Sequence, residues 1–125
     1  MTVDVVLDLM RLPYAENGRA RDGAVDCVGV TLELARRRGL VLFDPWDRVS
    51  DLFALGLDVD HLFPPGWVLA APPLRDDDVV LLRDNDRLGA GYVLDGYIVT
   101  AVRGIGVLRL KASRVRPCQV WRFEP

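Results

Sequence analysis

The sequence has a single histidine and two cysteines, and neither sign of charge dominates, with 16 basic and 18 acidic residues. Two cysteines do not make a disulfide framework. Neither Cys27 nor Cys118 lies in the CxxC or cysteine–histidine spacing of a metal site, so we expect no metal and no cofactor. A formal net charge of −2 gives no reason to expect nucleic acid or an acidic membrane as a partner.

Long apolar runs are also absent, since none approaches the roughly 20 residues that a membrane-spanning helix needs. The first residues, MTVDVVLDLMRLPY, carry aspartates where a signal peptide carries basic residues, and they lack a cleavage site. We therefore expect neither membrane insertion nor a signal peptide. The length of 125 residues and the 50% hydrophobic content predict a single domain, 1–125, with no linker.

The first half of the chain predicts helices. The first predicted helix is Val3–Arg11, where apolar and acidic residues alternate, and Pro13 ends it. A second predicted helix runs from Asp26, as its cap, to Gly39. A third helix is expected to open at Asp44, with Pro45 at its first position and with Trp46, Val49 and Phe53 on one face. The proline-rich stretch Phe63–Pro73 then predicts a rigid, ordered connection.

The second half predicts an antiparallel meander, because short β-branched segments alternate with turn signals such as Asp95-Gly96. Helices followed by such a sheet make an α+β layout. The predicted strands are Asp78–Arg83, Leu88–Leu94, Tyr97–Val102, Val107–Lys111 and Gln119–Phe123.

Cys27 is the residue with the clearest chemical potential. It falls in the first turn of the second helix, where unsatisfied N–H groups and the helix dipole stabilise a thiolate. Gly29 lets another backbone approach the helix start closely. These residues alone leave two interpretations open, a nucleophile and a buried structural cysteine.

The segment around Cys27 resembles the signature of NlpC-type cell-wall cysteine peptidases, which are papain-like enzymes. Tyr14 precedes the motif Asp26-Cys27-Val28-Gly29, as a tyrosine precedes the DCSG-like motif of that family. The resemblance continues in order through Leu74–Arg83, Gly89–Ala101 and Gly104–Leu110. It implies a papain-like α+β fold, with N-terminal helices packed on a C-terminal antiparallel sheet. It also implies Cys27 as the nucleophile, and Tyr14 and Asp26 at the substrate site.

The departures from the family concern its histidines. The general-base histidine falls on Gly89, and the second histidine falls on Thr100. A cysteine nucleophile needs a base within hydrogen-bond reach, and neither residue is one. His61 is the only imidazole in the chain, and it carries no motif that marks it as a substitute base.

Three further groups of side chains are interpreted as structural. Asp76, Asp77 and Asp78 are expected to form a solvated turn, and Arg36, Arg37 and Arg38 a solvated helix end that complements the dipole. Cys118 follows a proline in a late turn and has no base signal near it.

The segment from Asp44 to Trp67, DPW…LFPPGW, resembles tail-associated members of this family from phages and gene-transfer particles. The resemblance implies a structural component of a tail tip or baseplate, assembled in the bacterial cytoplasm and bound to other tail proteins. The alternative is an active peptidase acting on peptidoglycan stem peptides, with Cys27 as nucleophile and an unconventional base such as His61.

Overall fold

The computed structural model describes residues 6–44, 62–84 and 87–125. An α-helix, α1, spans Cys27–Arg37 with Asp26 as N-cap, and Gly39 follows with a φ of 77°. The predicted second helix is therefore confirmed, together with its cap and its terminating glycine. The predicted third helix, which includes Trp46 and Phe53, lies outside the described residues. None of the described helices is long and apolar enough to cross a membrane.

The predicted first helix does not continue to Arg11 as an α-helix. Among the described residues, Leu9–Arg11 is a 3₁₀ turn. Leu12 after it is extended, with φ −79° and ψ 137°, the conformation that a following proline favours. The turn still belongs to the core, because Leu9 is fully buried.

A six-stranded antiparallel sheet forms the rest of the structure. The strands are β1 (Trp67–Leu69), β2 (Val79–Asp84), β3 (Arg87–Leu94), β4 (Tyr97–Val102), β5 (Gly106–Lys111) and β6 (Gln119–Phe123), in the spatial order β1-β6-β2-β3-β4-β5. All five predicted strands are present within a few residues of their expected bounds. The turn between β3 and β4 has positive φ at both Asp95 and Gly96, as a tight hairpin requires.

Strand β1 was not predicted, because it lies within the stretch expected to be a connection. Trp67 pairs with Phe123, and Leu69 pairs with Trp121. Phe63 stacks on Trp121 with 4.2 Å between the ring centroids. The proline-rich stretch is ordered, and it also adds a strand to one edge of the sheet.

The sheet carries apolar side chains on both faces. α1 packs on one face, where Val28, Leu34 and Tyr92 are almost completely buried. On the other face Val80, Val93, Ile98 and Val120 form a smaller cluster. Partly buried side chains from 70–74 and from 112–115 cover that cluster.

The three consecutive aspartates form a solvated turn only in part, because Asp76 and Asp77 lie in a turn and Asp76 is exposed, whereas Asp78 is buried. Asp78 has no exposed surface and accepts two hydrogen bonds of 2.8 Å from Arg122. Asp77 accepts from Arg38 and from the Tyr92 hydroxyl at 2.7 and 2.8 Å. Asp76 accepts from the backbone N–H of Asp95 at 2.9 Å. The turn is present as expected, but each carboxylate also accepts from a donor far away in the chain, which the sequence did not predict.

The arginines at the end of α1 are likewise more than a solvated surface. Arg36 is exposed, as expected, and pairs with Glu33. Arg37 is half-buried and pairs with both Asp8 and Glu33, and Arg38 makes the contact with Asp77. These ion pairs attach the carboxyl end of the helix to two other segments.

Candidate functional site

The start of α1 is held by the carboxylate of Asp26. This carboxylate has no exposed surface and accepts hydrogen bonds from the backbone N–H of Gly29 at 2.7 Å and of Asn17 at 2.9 Å. The guanidinium of Arg19 donates a third bond at 2.9 Å. Because all three donors belong to the protein, the geometry makes Asp26 a positioning residue. Its expected place at the substrate site stays a prediction.

The backbone of the preceding loop lies directly against α1. A Cβ on Gly29 would overlap the carbonyl oxygen of Gly18, so the glycine allows the close approach that its position suggested. The loop is irregular, with single bridges from Tyr14 and Arg19 to Val25. The loop and the cap together fix the position of the next residue, Cys27.

The Cys27 side chain lies in the first turn of α1 with only 8% of its surface exposed. Burial raises the pKa of this thiol to about 11, although the backbone amide of Ala90 opposes the shift. The nearby charge of Asp26 raises the pKa further. The backbone N–H groups of Cys27 and Val28 at the helix start lower the pKa, as expected, but desolvation of the anion outweighs them.

Gly89, on strand β3, lies beside the thiol. A Cβ built on Gly89 would lie 3.3 Å from Cys27 Sγ and 3.9 Å from Cys27 Cβ. Any side chain at this position would therefore contact the cysteine through its first carbon atom. Glycine instead supplies neither a proton acceptor nor a charge there.

Thr100, on strand β4, is buried, and its side chain forms a hydrogen bond with the backbone. Its hydroxyl donates a hydrogen bond of 2.7 Å to the carbonyl oxygen of Ala90. The regular β3–β4 pairing ends at Tyr92 and Val99, so this bond links the two strands where they begin to separate. The geometry gives Thr100 a structural contact, and the hydroxyl is not a base at neutral pH.

Tyr14 remains partly open to solvent. Burial raises the pKa of its phenol, and the neighbouring Cys27 and Asp26 add to the shift, whereas Arg103 lowers it. Arg103 also forms an ion pair with Glu16. A phenol with a raised pKa does not accept a proton at neutral pH, so Tyr14 is not a base for Cys27.

His61 lies outside the described residues. Its neighbour Leu62 is buried, and Leu62 lines a small apolar cavity together with Val28 and Thr31 of α1. The proposal that His61 serves as an unconventional base stays a prediction.

Cys27 and Gly89 meet at a groove of about 560 Å³, which we call the cysteine groove. It opens where β3 and β4 separate, with Tyr14 and Thr100 among its walls. Its lining also includes three arginines that sequence reasoning missed: Arg83, Arg103 and Arg116. No local motif marks them, because Arg83 lies in β2, Arg103 in the turn after β4 and Arg116 in the connection between β5 and β6. Cys118, which is interpreted as structural, does not line this groove, and its side chain is exposed. Its Sγ contacts the carbonyl oxygen of Leu81 at 3.3 Å.

In the part of the chain that the structure describes, no group of three or more His, Cys, Asp or Glu side chains is placed to hold a metal ion. The described groove walls contain tyrosine, arginine and threonine, and none of these accepts a proton readily at neutral pH. The described part of the site therefore supplies no general base for the thiol.

Comparisons with known proteins identify the fold. No family model and no curated protein sequence matches this chain. Among solved structures, it is similar to the NlpC/p60 domain of the peptidoglycan hydrolase SagA, with a TM-score of 0.61 and 16% sequence identity. The similarity covers 94% of this chain and 92% of that one. The chain therefore has an α+β, papain-like fold of the NlpC/p60 type.

Proposed function

We propose that this protein is a non-catalytic member of the NlpC/p60 fold that serves as a structural component of a phage-like tail, at its tip or baseplate. The observation that carries the proposal is the position of Gly89, where an added Cβ would lie 3.3 Å from Cys27 Sγ. This strand position beside the thiol holds the one residue type that has no side chain.

The chemistry of the thiol supports the same conclusion. With a pKa of about 11, roughly one Cys27 side chain in 10⁴ is a thiolate at pH 7. Loss of a positioned acid–base group costs a further factor of roughly 10²–10⁴. The described residues also contain no histidine whose imidazolium could protonate the leaving amine. Attack by the thiolate and departure of the amine, the two events of the acylation step, are therefore both disfavoured at this site.

The tail setting rests on the sequence resemblance of 44–67 to tail-associated proteins. In that setting the partners are other tail or baseplate proteins, and the protein is assembled in the bacterial cytoplasm and carried in the particle. The open groove and the edge strands of the sheet provide surfaces for such neighbours, because an edge strand presents unpaired backbone groups.

The test is digestion of purified cell wall. The protein is incubated with peptidoglycan sacculi, and soluble muropeptides are measured by chromatography, with an active NlpC/p60 hydrolase as positive control. We expect no more release than from buffer, and the same result for Cys27→Ala. Release that disappears in Cys27→Ala would refute the proposal.

That contrary outcome would establish the peptidase alternative, and His61→Ala would then test the base. An active site that uses this imidazole loses activity in both variants. Activity that survives His61→Ala would rule out His61 as the base.

A further inference from the structure

Strand β5 is the outer strand of the sheet at the end opposite to β1. It pairs with β4 along its whole length, from Gly106 opposite Val102 to Lys111 opposite Tyr97. No strand of the described residues lies on its other side. Gly106 lies against Leu12, so the open part of β5 is further along the strand. An open edge of this kind can pair with another chain.

The ladder shows which backbone groups of β5 point outwards. The N–H of Ala112 donates to the carbonyl oxygen of Gly96 at 2.9 Å, towards β4. Successive residues of an antiparallel pair point their backbone groups to opposite sides. The N–H and carbonyl groups of Arg109 and the N–H of Lys111 therefore point away from β4. In the described part of the chain these outward groups form no hydrogen bond.

The charge around β5 differs from that of the whole protein, in which acidic residues outnumber basic ones. From Gly96 to Phe123 the sequence has no aspartate or glutamate. Its basic residues there are Arg103, Arg109, Lys111, Arg114, Arg116 and Arg122. Arg103 pairs with Glu16, and Arg122 pairs with Asp78. The other four side chains are exposed and form no ion pair within residues 6–44, 62–84 and 87–125. We call these four, together with β5, the basic edge.

Arg109 is held in place by Tyr97 of the neighbouring strand. The central carbon of its guanidinium lies 4.6 Å from the centre of the phenol ring. This contact restricts the long side chain but leaves its N–H donors free for a carboxylate. Lys111 lies on the same face of the strand as Arg109, whereas the half-buried Leu108 and Leu110 lie on the other face. A strand added to β5 would therefore meet cations on one face and leucines on the other.

Two other occupants fit this edge less well. If a second copy of the chain paired through the same strand, Arg109 and Lys111 would lie opposite their own copies, and like charges directly opposite each other are destabilising. A nucleic acid would contact the cations through its phosphates, but it would leave the outward backbone groups of the strand without partners. An acidic polypeptide strand satisfies both the cations and the backbone.

We propose that the basic edge binds an extended acidic strand of a partner polypeptide, which joins the sheet antiparallel to β5. Acidic residues at alternate positions lie opposite Arg109 and Lys111, and the apolar residues between them contact Leu108 and Leu110. A residue opposite Arg109 exchanges both backbone hydrogen bonds with it, so the acidic residues are also those whose N–H groups face β5. This inference rests on the proposed assembly role, for which it names the chemistry of the partner.

The test uses fluorescein-labelled decapeptides and fluorescence anisotropy on the whole chain. One probe alternates glutamate and valine, and its control alternates glutamine and valine. We expect binding of the glutamate peptide that weakens with added salt, and binding at least tenfold weaker for the glutamine peptide. Equal binding of the two peptides, or no binding of the glutamate peptide at millimolar protein, overturns the proposal.

Methylation of backbone nitrogens tests the addition of a strand. A glutamate peptide methylated on the nitrogens of its glutamates cannot donate to β5, and it should bind at least tenfold more weakly. The same peptide methylated on its valine nitrogens, which point away from the sheet, should stay within threefold of the original. Equal affinities of the two methylated peptides would mean charge attraction without strand addition, which contradicts the proposal.

A matched pair of variants locates the site. Lys111→Glu should weaken binding of the glutamate peptide at least tenfold. Arg21→Glu makes the same change in net charge at an exposed position of the loop before α1, and it should leave the affinity within twofold. Equal losses in both variants would show a general charge effect and would rule out the basic edge as the site.

Two further measurements separate the partner strand from the other occupants. Single-stranded DNA at an equal concentration of charge should not displace the glutamate peptide, and displacement would overturn the proposal in favour of a nucleic acid. The protein alone should sediment as a monomer, and a dimer that the glutamate peptide dissociates would assign the edge to a second copy instead. Sacculus digestion is a separate measurement, so failure of peptide binding and failure of the non-catalytic role can be told apart.

Discussion

The cysteine groove has two walls that differ in the groups they supply. The helix wall is the start of α1 with the loop before it, and the strand wall consists of Gly89 and Thr100. The helix wall has a buried carboxylate with three internal donors and a close backbone contact at Gly29. The strand wall places a glycine against the thiol and a threonine that bonds to backbone. The scaffold that positions a nucleophile is thus present, while the groups that would activate the nucleophile are absent from the described wall.

The largest expected effect is on the helix wall. Asp26→Ala removes the helix cap and leaves the guanidinium of Arg19, whose side chain is 7% exposed, without one of its carboxylate partners. Breaking a buried ion pair from one side costs about 3–5 kcal/mol, so the variant should lose that much stability in urea denaturation. Asp22→Ala, at an exposed position of the same loop, is the control and should lose much less. Similar losses in both would mean that the wall is not held by Asp26.

The second effect concerns the thiol between the two walls. Burial raises the pKa of Cys27 from its ordinary value near 9 to about 11, so the unfolded chain loses this proton at lower pH than the folded protein does. The protonated thiol therefore stabilises the folded state relative to an ionised one. This contribution to the free energy of unfolding is complete below pH 9 and is lost as the pH rises towards 11. Its size is about 2–3 kcal/mol, at roughly 1.4 kcal/mol for each pKa unit.

The measurement is urea denaturation of the wild type and of Cys27→Ala at pH 8 and at pH 11. The wild type should lose about 2–3 kcal/mol more than the variant does, since other titrating groups contribute equally to both. Equal losses would show that the thiol is not desolvated in the folded state.

A smaller effect is expected from the strand wall. Thr100→Val removes the hydroxyl and leaves the carbonyl oxygen of Ala90 without this donor, at a cost of about 1–2 kcal/mol. Thr100→Ser keeps the hydroxyl and should be closer to the wild type in the same denaturation measurement. If valine is no worse than serine, the bond between the separating strands does not stabilise the fold.

The smallest expected effect tests whether the strand wall can be completed. Gly89→His places an imidazole next to the thiol, and an adjacent imidazolium favours the thiolate. Alkylation of Cys27 at pH 7, followed by mass spectrometry, should become about tenfold faster, a difference of about 1.4 kcal/mol. Gly89→Ala controls for the close contact of a Cβ with Cys27 Sγ, and Cys118 is the internal reference. Equal acceleration by alanine would mean that the extra side chain only loosens the site.

The sequence predicted the elements whose signals are local. Tyr97–Val102 is a strand with the predicted bounds, because the Asp95-Gly96 turn and the β-branched residues lie within a few positions. The start of α1 was predicted for the same reason. Strand β1 was missed, because it is three residues long and its pairing partner lies more than 50 positions later in the chain.

The candidate site likewise combines features that local sequence motifs predicted with features that depend on distant contacts. The resemblance to NlpC-type peptidases directed attention to Cys27 and Gly89, which the structure places in contact distance. It did not predict that the thiol is desolvated, because burial depends on how the sheet and α1 pack. The contact of Arg122 with Asp78 joins residues 44 positions apart, and no pattern in the sequence specifies which arginine reaches which carboxylate.

The three aspartates before β2 have a consequence for how this protein can change over time. They bind Arg38, Asp95 and Arg122 at the end of β2 that begins with Val79, whereas the cysteine groove contacts Leu82 and Arg83 at the other end. Much of the ionic anchoring of the fold is therefore separated from the groove. Substitutions in the groove wall can accumulate without breaking these anchors, which is how a domain can exchange one function for another while its architecture persists.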